Sequence, residues 1–368
     1  MGTINWGELF PGRWSLVIFI SYMALFVNQG IIVTWSQKNG QYEYSIVMVV
    51  LMTEMLKLIA SIILYCKDNS IKSLCQEITG NKGVLLLYMI PAFLYCLYNN
   101  LAFINLAAFD PTTYYLLLQF RVVMTGIIFQ VVFNKKLSIK QWFSLIILTI
   151  GCMVKHVDLD FGVDIFSAKI NLTSSVILVF LQVYLIFRHI YGNIYTGVFS
   201  KIQSTFEYFQ MICSCLAGVY NEYLLKEQGA NINIFVQNVF MYIDSIFCNV
   251  TVFVGLYVSG SNSSDMFSNV HPSILLQPKV IMIMLNNTAV GIITSFFLKS
   301  LNSILKTFAS ALELVFTAVL CWLIFSIPIQ MNTVISIGMV SYAVILYSQN
   351  PVQNVRTKDS LLKANSPV

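Results

Sequence analysis

Long apolar runs, one after another, are what most limit the fold of this chain. They read Trp14–Thr34, Tyr44–Tyr65, Val84–Leu106, Thr112–Phe133, Gln141–Val154, Ile234–Val258, Val280–Lys299, Ile304–Phe325 and Pro328–Tyr347. About twenty apolar residues suffice for one bilayer crossing. In hydrocarbon every backbone polar group must be bonded internally, so helices or closed barrels are the only choices. These runs are too long and too uniformly apolar for barrel strands, which alternate. Of the 368 residues, 57% are hydrophobic and only 10% are charged, well below a soluble domain. A cytosolic enzyme, a disordered chain and a secreted disulfide scaffold are therefore excluded.

The remaining region, Leu172–Leu225, reads as one interrupted span, which brings the count to ten. Leu172–Phe187 and Met211–Leu225 are each short for a crossing. If both crossed, every later helix would invert. Removing Val183–Gln210 joins Gln182 to Met211 in one continuous span. That segment begins Val-Tyr and ends Phe-Gln, encodable from GT to CAG in frame. The reading is a retained AT-rich intron, with a genuine inserted loop as its rival. It expects a broken sixth helix, with 183–210 as a poorly packed excursion. The organisation expected is a first half over 1–154, a second over 155–350 and a tail over 351–368.

Orientation follows from Lys and Arg in the short loops. One set of loops holds Arg13, Lys67, Lys72, Lys82, Lys135, Lys136, Lys140 and Lys226, joined by Arg356, Lys358 and Lys363 in the tail. The other holds Lys38, Lys155, Lys169 and Lys279. Both termini are thus expected in the cytosol. Met1 to Arg13 has no basic n-region, so Trp14–Thr34 reads as an anchor that stays rather than a signal peptide. Sequons at Asn171 and Asn262 fall on the opposite side. The net charge of +5 is scattered, without a nucleic-acid patch. The eight cysteines show no zinc or disulfide pattern. No nucleophile, metal cluster or phosphate-cradling glycine loop points to catalysis.

Polar residues inside the spans are costly and therefore informative. Glu54 and Lys57 share a helix face, either as a self-neutralising tether or as a pair lining a pathway. Arg121, preceded by Gln119, needs an anion: a carboxylate from Glu54, Glu222 or Glu313, or a ligand phosphate. Lys299 and Lys306 flank a turn, either snorkelling or forming a basic mouth. Asp244 and Glu313 are lone acids. His156, His189 and His271 form no group. Asn99, Asn100, Asn238, Asn286 and Asn287 suit bonds between helices, or recognition of a base and hydroxyls. Tyr95, Tyr98, Tyr114 and Tyr115 suit stacking or plain packing. Asn99-Asn100 and Asn286-Asn287 fall at matching places in the two halves, the mark of a repeated carrier with its site between the repeats. The composite is a ten-helix carrier for an anion bearing a ring and hydroxyls.

YNNLAFINLAAFDPTTYYLLLQFRVV and FNKKLSIKQW, within Pro91–Trp142, resemble the nucleotide-sugar transporter family. The likeness is to its CMP-sialic acid, UDP-galactose and UDP-GlcNAc branch. TEMLK at Thr53–Lys57, AGVYNEYLLK at Ala217–Lys226, QNVFMY at Gln237–Tyr242 and the Lys299–Phe308 segment extend it over nearly the whole chain. The resemblance implies an all-α, ten-helix carrier of two pseudo-symmetric five-helix halves. It implies a Golgi membrane protein exchanging a nucleotide sugar, UDP-galactose foremost, for a nucleoside monophosphate, without a cofactor. Carried over by position, it implies substrate contacts at Lys57, Tyr95, Asn99, Tyr114, Arg121, Ser214, Asn238, Tyr242, Asn287 and Lys299. Arg121 stands where branch members carry Lys. Asp244 and Asn287 replace small or hydroxyl residues, and Asn302 replaces an Asp. UDP-GlcNAc or CMP-sialic acid remain alternative substrates. A transporter-derived scaffold or regulator of glycosylation, a homo-oligomer and a complex with glycosyltransferases also stay open.

Overall fold

The computed structural model describes residues 6–36, 44, 46–108, 119–154, 198–258, 276–325, 329 and 331–351. Among the described residues every regular element is helical, as the bilayer argument requires. After a short turn at Trp6–Leu9, the helices are α1 (Ser15–Ser36), α2 (Ile46–Cys66), α3 (Ile71–Gly80), α4 (Lys82–Ala108), α5 (Arg121–Phe133) and α6 (Ile139–Val154). They continue as α7 (Val198–Tyr223), α8 (Ile234–Val258), α9 (Pro278–Ser300), α10 (Ser303–Phe325) and α11 (Met331–Gln349). Six of them are long and apolar enough to cross a membrane: α1, α2, α4, α8, α9 and α11. α5 and α6 are shorter apolar helices.

Local chemistry sets the ends. Pro278 starts α9, where its missing N–H costs nothing. Asn134 closes α5 in the left-handed conformation at φ 49°, with its N–H on the Gln130 carbonyl. Ser138 and Gln141 cap the start of α6 reciprocally, Ser138 N–H donating to Gln141 Oε1 at 2.7 Å. Within the spans, hydroxyls bond back one turn, as Thr53 does to the Val49 carbonyl and Thr149 to that of Leu145. These bonds satisfy the hydroxyls without a partner helix.

The helices pair as α1 with α9 and α10, α2 with α8 and α9, α4 with α7 and α8, α5 with α6 and α7, and α11 with α6. The larger core gathers Tyr22, Leu145, Leu148, Phe297, Phe308 and Tyr347. A second, around Tyr65, Tyr88, Leu224 and Phe240, joins α2, α3, α4, α7 and α8. At Gly151 a Cβ would sit 3.0 Å from the Met339 Cβ, so the missing side chain sets how closely α6 and α11 approach.

Three details differ from the sequence reading. α3 is a short helix between the second and third spans, where a loop was expected; Ser70 caps it by accepting the Ser73 N–H at 3.2 Å. The Gln210–Met211 junction lies inside the continuous 26-residue α7, with Gln210 fully buried, so no helix end falls there. Residues 183–197 lie outside the described part. Lys226, assigned above to a loop, is a buried member of a π turn, Leu224–Gln228, that extends α7. The sequons, Tyr114, Tyr115, residues 1–5 and residues 352–368 also lie outside the described residues.

Candidate functional site

Where α4, α5, α7 and α10 meet, a cavity of about 120 Å³ opens. Its polar lining is Tyr95 from α4, Gln119, Arg121 and Thr125 around α5, and Ser214 and Cys215 from α7. From α10 come Ser303, Lys306, Thr307 and Ser310. Those last four are spaced so that they share one helix face. Among the described residues the lining holds two cations and no carboxylate. The backbone is tied as well: the Arg121 carbonyl accepts from Thr125 Oγ1 at 2.7 Å and from Cys215 Sγ at 3.2 Å, joining α5 to α7. Ser303 is 3% exposed and its hydroxyl has no partner, so it is available to a ligand. Tyr95 packs its hydroxyl 3.7 Å from where a Cβ on Gly218 would sit. Fixed cations and hydroxyls of this kind suit an anion with several acceptor oxygens.

A second polar focus lies between α2, α8 and α9. Lys57 Nζ donates to Glu54 Oε1 at 2.7 Å and stands 5.7 Å from the centre of the Tyr242 ring. Gly291 makes room for both: a Cβ there would fall 2.6 Å from Lys57 Cε and 3.0 Å from the Tyr242 hydroxyl. Asn238 lies one turn before Tyr242 on α8, and Asn287 one turn before Gly291 on α9. Asn238 Nδ2 and Asn287 Oδ1 are buried without hydrogen-bond partners. Unsatisfied buried amides in a native fold call for a reason, and an absent ligand or water is one. Asn286 is occupied differently, accepting from Asn28 Nδ2 at 2.8 Å and donating to the Leu25 carbonyl.

The structure thus divides the expected set. Tyr95, Arg121 and Ser214 share the cavity. Lys57 and Tyr242 meet in the second focus, with Asn238 and Asn287 one turn away along their helices. Lys299 joins neither: its Nζ reaches the Ile232 carbonyl at 3.4 Å, beyond the end of α9. Lys57, Arg121 and Lys299 thus stand at three separate places in this structure. Lys306 stands with Arg121 instead. Asn99, one turn past Tyr95, is exposed and is not among the cavity residues. Two of the carboxylates considered for Arg121 are committed elsewhere, Glu54 to Lys57 and Glu222 to Lys226. The polar stripe Ser303, Lys306, Thr307 and Ser310 was the sequence signal that would have found Lys306.

These features define a class: a helical membrane protein with a cationic, hydroxyl-rich cavity buried among its helices. The particular family follows from its relatives. The nucleotide-sugar transporter profile matches residues 14–348, and the chain belongs to that family. It is 55% identical over 358 residues to the Drosophila melanogaster UDP-galactose transporter senju, covering 96% of this chain and 91% of that one. It is 27% identical over 322 residues to rice CMP-sialic acid transporter 1, covering 86% and 88% respectively. A crystal structure at 10% identity superposes with a TM-score of 0.58 over 96% of this chain and 99% of that one, a likeness of fold alone.

Proposed function

We propose that this chain is a Golgi antiporter that imports UDP-galactose in exchange for UMP. The carrying observation is the cavity that holds Arg121 and Lys306 with no carboxylate among its described lining residues. It occurs in a chain 55% identical to a relative named for UDP-galactose. A diphosphate or monophosphate supplies the negative charge that suits such a lining. Arg121, Tyr95 and Ser214, with Lys306, act on the phosphate side. Lys57, Asn238, Tyr242 and Asn287 act on the base or sugar, their free amide groups matching a ring and hydroxyls. Asn99, Tyr114 and Lys299 complete the proposed contacts in other states of the transport cycle.

The architecture proposed is ten crossings in two halves, 1–154 and 155–350, the first containing α1, α2, α4, α5 and α6, the second α7 to α11. The helix pairing supports it. Exchange each helix for its counterpart and α1–α9 becomes α7–α4, α2–α9 becomes α8–α4, and α1–α10 becomes α7–α5. α2–α8 and α6–α11 map onto themselves. A pseudo-two-fold of this kind suits a site between the halves. The lysine and arginine bias supports cytosolic termini. Tags at Met1 and Val368 are expected to be antibody-accessible after permeabilising the plasma membrane alone. Needing Golgi permeabilisation for either would refute that orientation.

The decisive test is reconstitution. Liposomes carrying the pure protein and loaded with UMP should take up labelled UDP-galactose far faster than empty ones. UMP, CMP and GMP should compete to different extents. Equal uptake with and without internal UMP, or no uptake at all, rejects the reading.

A further inference from the structure

We propose that Glu222 is a positioning residue that couples occupancy of the cavity to opening at the α9–α10 turn; the proposal rests on the transport reading above. α7 ends with two charges one turn apart. Lys226 Nζ donates to Glu222 Oε1 at 2.7 Å, and their side chains are 6% and 1% exposed. Each also grips the turn that joins α9 to α10. Glu222 Oε2 accepts the Ser303 N–H at 2.7 Å, and Lys226 donates to the Leu301 carbonyl. An acid thus faces the start of α10 and a cation the end of α9, the signs each helix end favours. These charge-assisted bonds hold the turn shut against α7. Lys135, in the loop after α5, stands beside them; burial and then the Lys226 ammonium hold its pKa below the usual lysine range, with Glu222 and Glu227 opposing.

Ser303 belongs to both assemblies. Its N–H is held by Glu222, while its unpartnered hydroxyl lines the cavity. Lys306, three residues on, lines the cavity and lies within electrostatic range of both Arg121 and Glu222. A phosphate in the cavity and the Glu222 carboxylate therefore draw on the same cation. Without the phosphate, Glu222 is the anion that offsets Lys306 and Lys226, and the turn stays pinned. When the phosphate arrives it neutralises Lys306 from the other side. The attraction holding Glu222 at the head of α10 weakens, and the α9–α10 turn is released. A carrier built this way turns over loaded and resists turning over without a bound anion, as exchange demands.

The test uses the full chain in liposomes. The Glu222→Gln/Lys226→Gln double variant removes both charges while keeping amides able to bond. UMP should still raise its Tm. Its ratio of exchange to net uptake should fall about five- to tenfold, within the usual range of coupling between two sites. A wild-type ratio in a variant that still binds UMP overturns the proposal. If the double variant does not fold, the wild-type latch is read directly. In a Cys66→Ser/Cys75→Ser background, Ser300→Cys should react with an impermeant maleimide about fivefold faster at saturating UMP. Unchanged labelling overturns the proposal. If the wild-type protein neither binds UMP nor exchanges it, the transport reading fails first and this inference falls with it.

Discussion

Two glutamate–lysine pairs inside the bundle have the same 2.7 Å contact and very different surroundings. Glu222 and Lys226 are almost fully buried, and each has a second, backbone partner at the α9–α10 turn. Glu54 and Lys57 are 13% and 16% exposed at their side chains. Beyond Glu54, Lys57 has a tyrosine ring, 5.7 Å from its Nζ. The first pair is tied at every atom that matters, so it fixes the position of a turn. The second is held by its own contact and by the Tyr242 ring, so under the proposed function Glu54 is the partner an incoming anion would replace. Burying a charge is tolerable when all its partners are supplied, and breaking such a set leaves an uncompensated charge behind. The Glu54–Lys57 pair, mostly buried but without those backbone ties to a turn, depends chiefly on its own contact.

The contrast is broken most severely by Glu222→Ala, which strands Lys226. A loss of about 3–5 kcal/mol is expected, visible as a steep fall in Tm in detergent and failure to leave the endoplasmic reticulum. Retained stability would show that Lys226 finds another partner. Arg121→Ala comes next, in function rather than folding. Removing a charged hydrogen-bonding group of about 1.5–3 kcal/mol should cut exchange by at least about tenfold while Tm and cellular targeting persist. Wild-type exchange in liposomes would remove Arg121 from the site.

Smaller effects should separate the two pairs further. Glu54→Gln should lower Tm less than Glu222→Ala does, because the amide oxygen still accepts from Lys57 while the competing charge is gone. It should also free Lys57, so UMP binding tightens a few-fold. Weaker binding would mean that Glu54 itself holds the ligand. Gly291→Ala places a Cβ 2.6 Å from Lys57 Cε. The lysine's flexible end can move aside, so folding should be nearly unaffected. Binding should fall about two- to threefold, with kcat little changed, because the displaced ammonium enters binding alone. No change in either constant would place Lys57 outside the pathway.

Much of this molecule is legible before folding. Apolar runs of crossing length force helices because hydrocarbon offers no hydrogen bonds. The helices α1, α2, α4, α8 and α9 match the predicted spans to within a few residues. The blocks around Thr53, Asn99 and Ala217 carried the family, and the match over residues 14–348 bears it out. Arg121 stood out because an isolated guanidinium in an apolar run has to be explained. The short helix α3 and the continuity of α7 were less legible, since polar, weakly apolar segments fall below what a hydropathy pattern resolves.

Which charges meet was decided only in three dimensions. Lys299 and Lys306 are seven residues apart, close to two helical turns, and on one unbroken helix they would share a face. The helix breaks between them at Leu301–Asn302, so the register is lost. Lys299 ends on the Ile232 carbonyl beyond α9, and Lys306 turns into the cavity beside Arg121. Glu222 and Lys226 looked like one acid and one loop cation; packing of α7 against the α9–α10 turn made them a buried clamp. Periodicity is a property of one helix, and it specifies what a side chain is and which face it occupies. The partner across the gap depends on where a separate helix ends, and that is set by packing over the whole bundle.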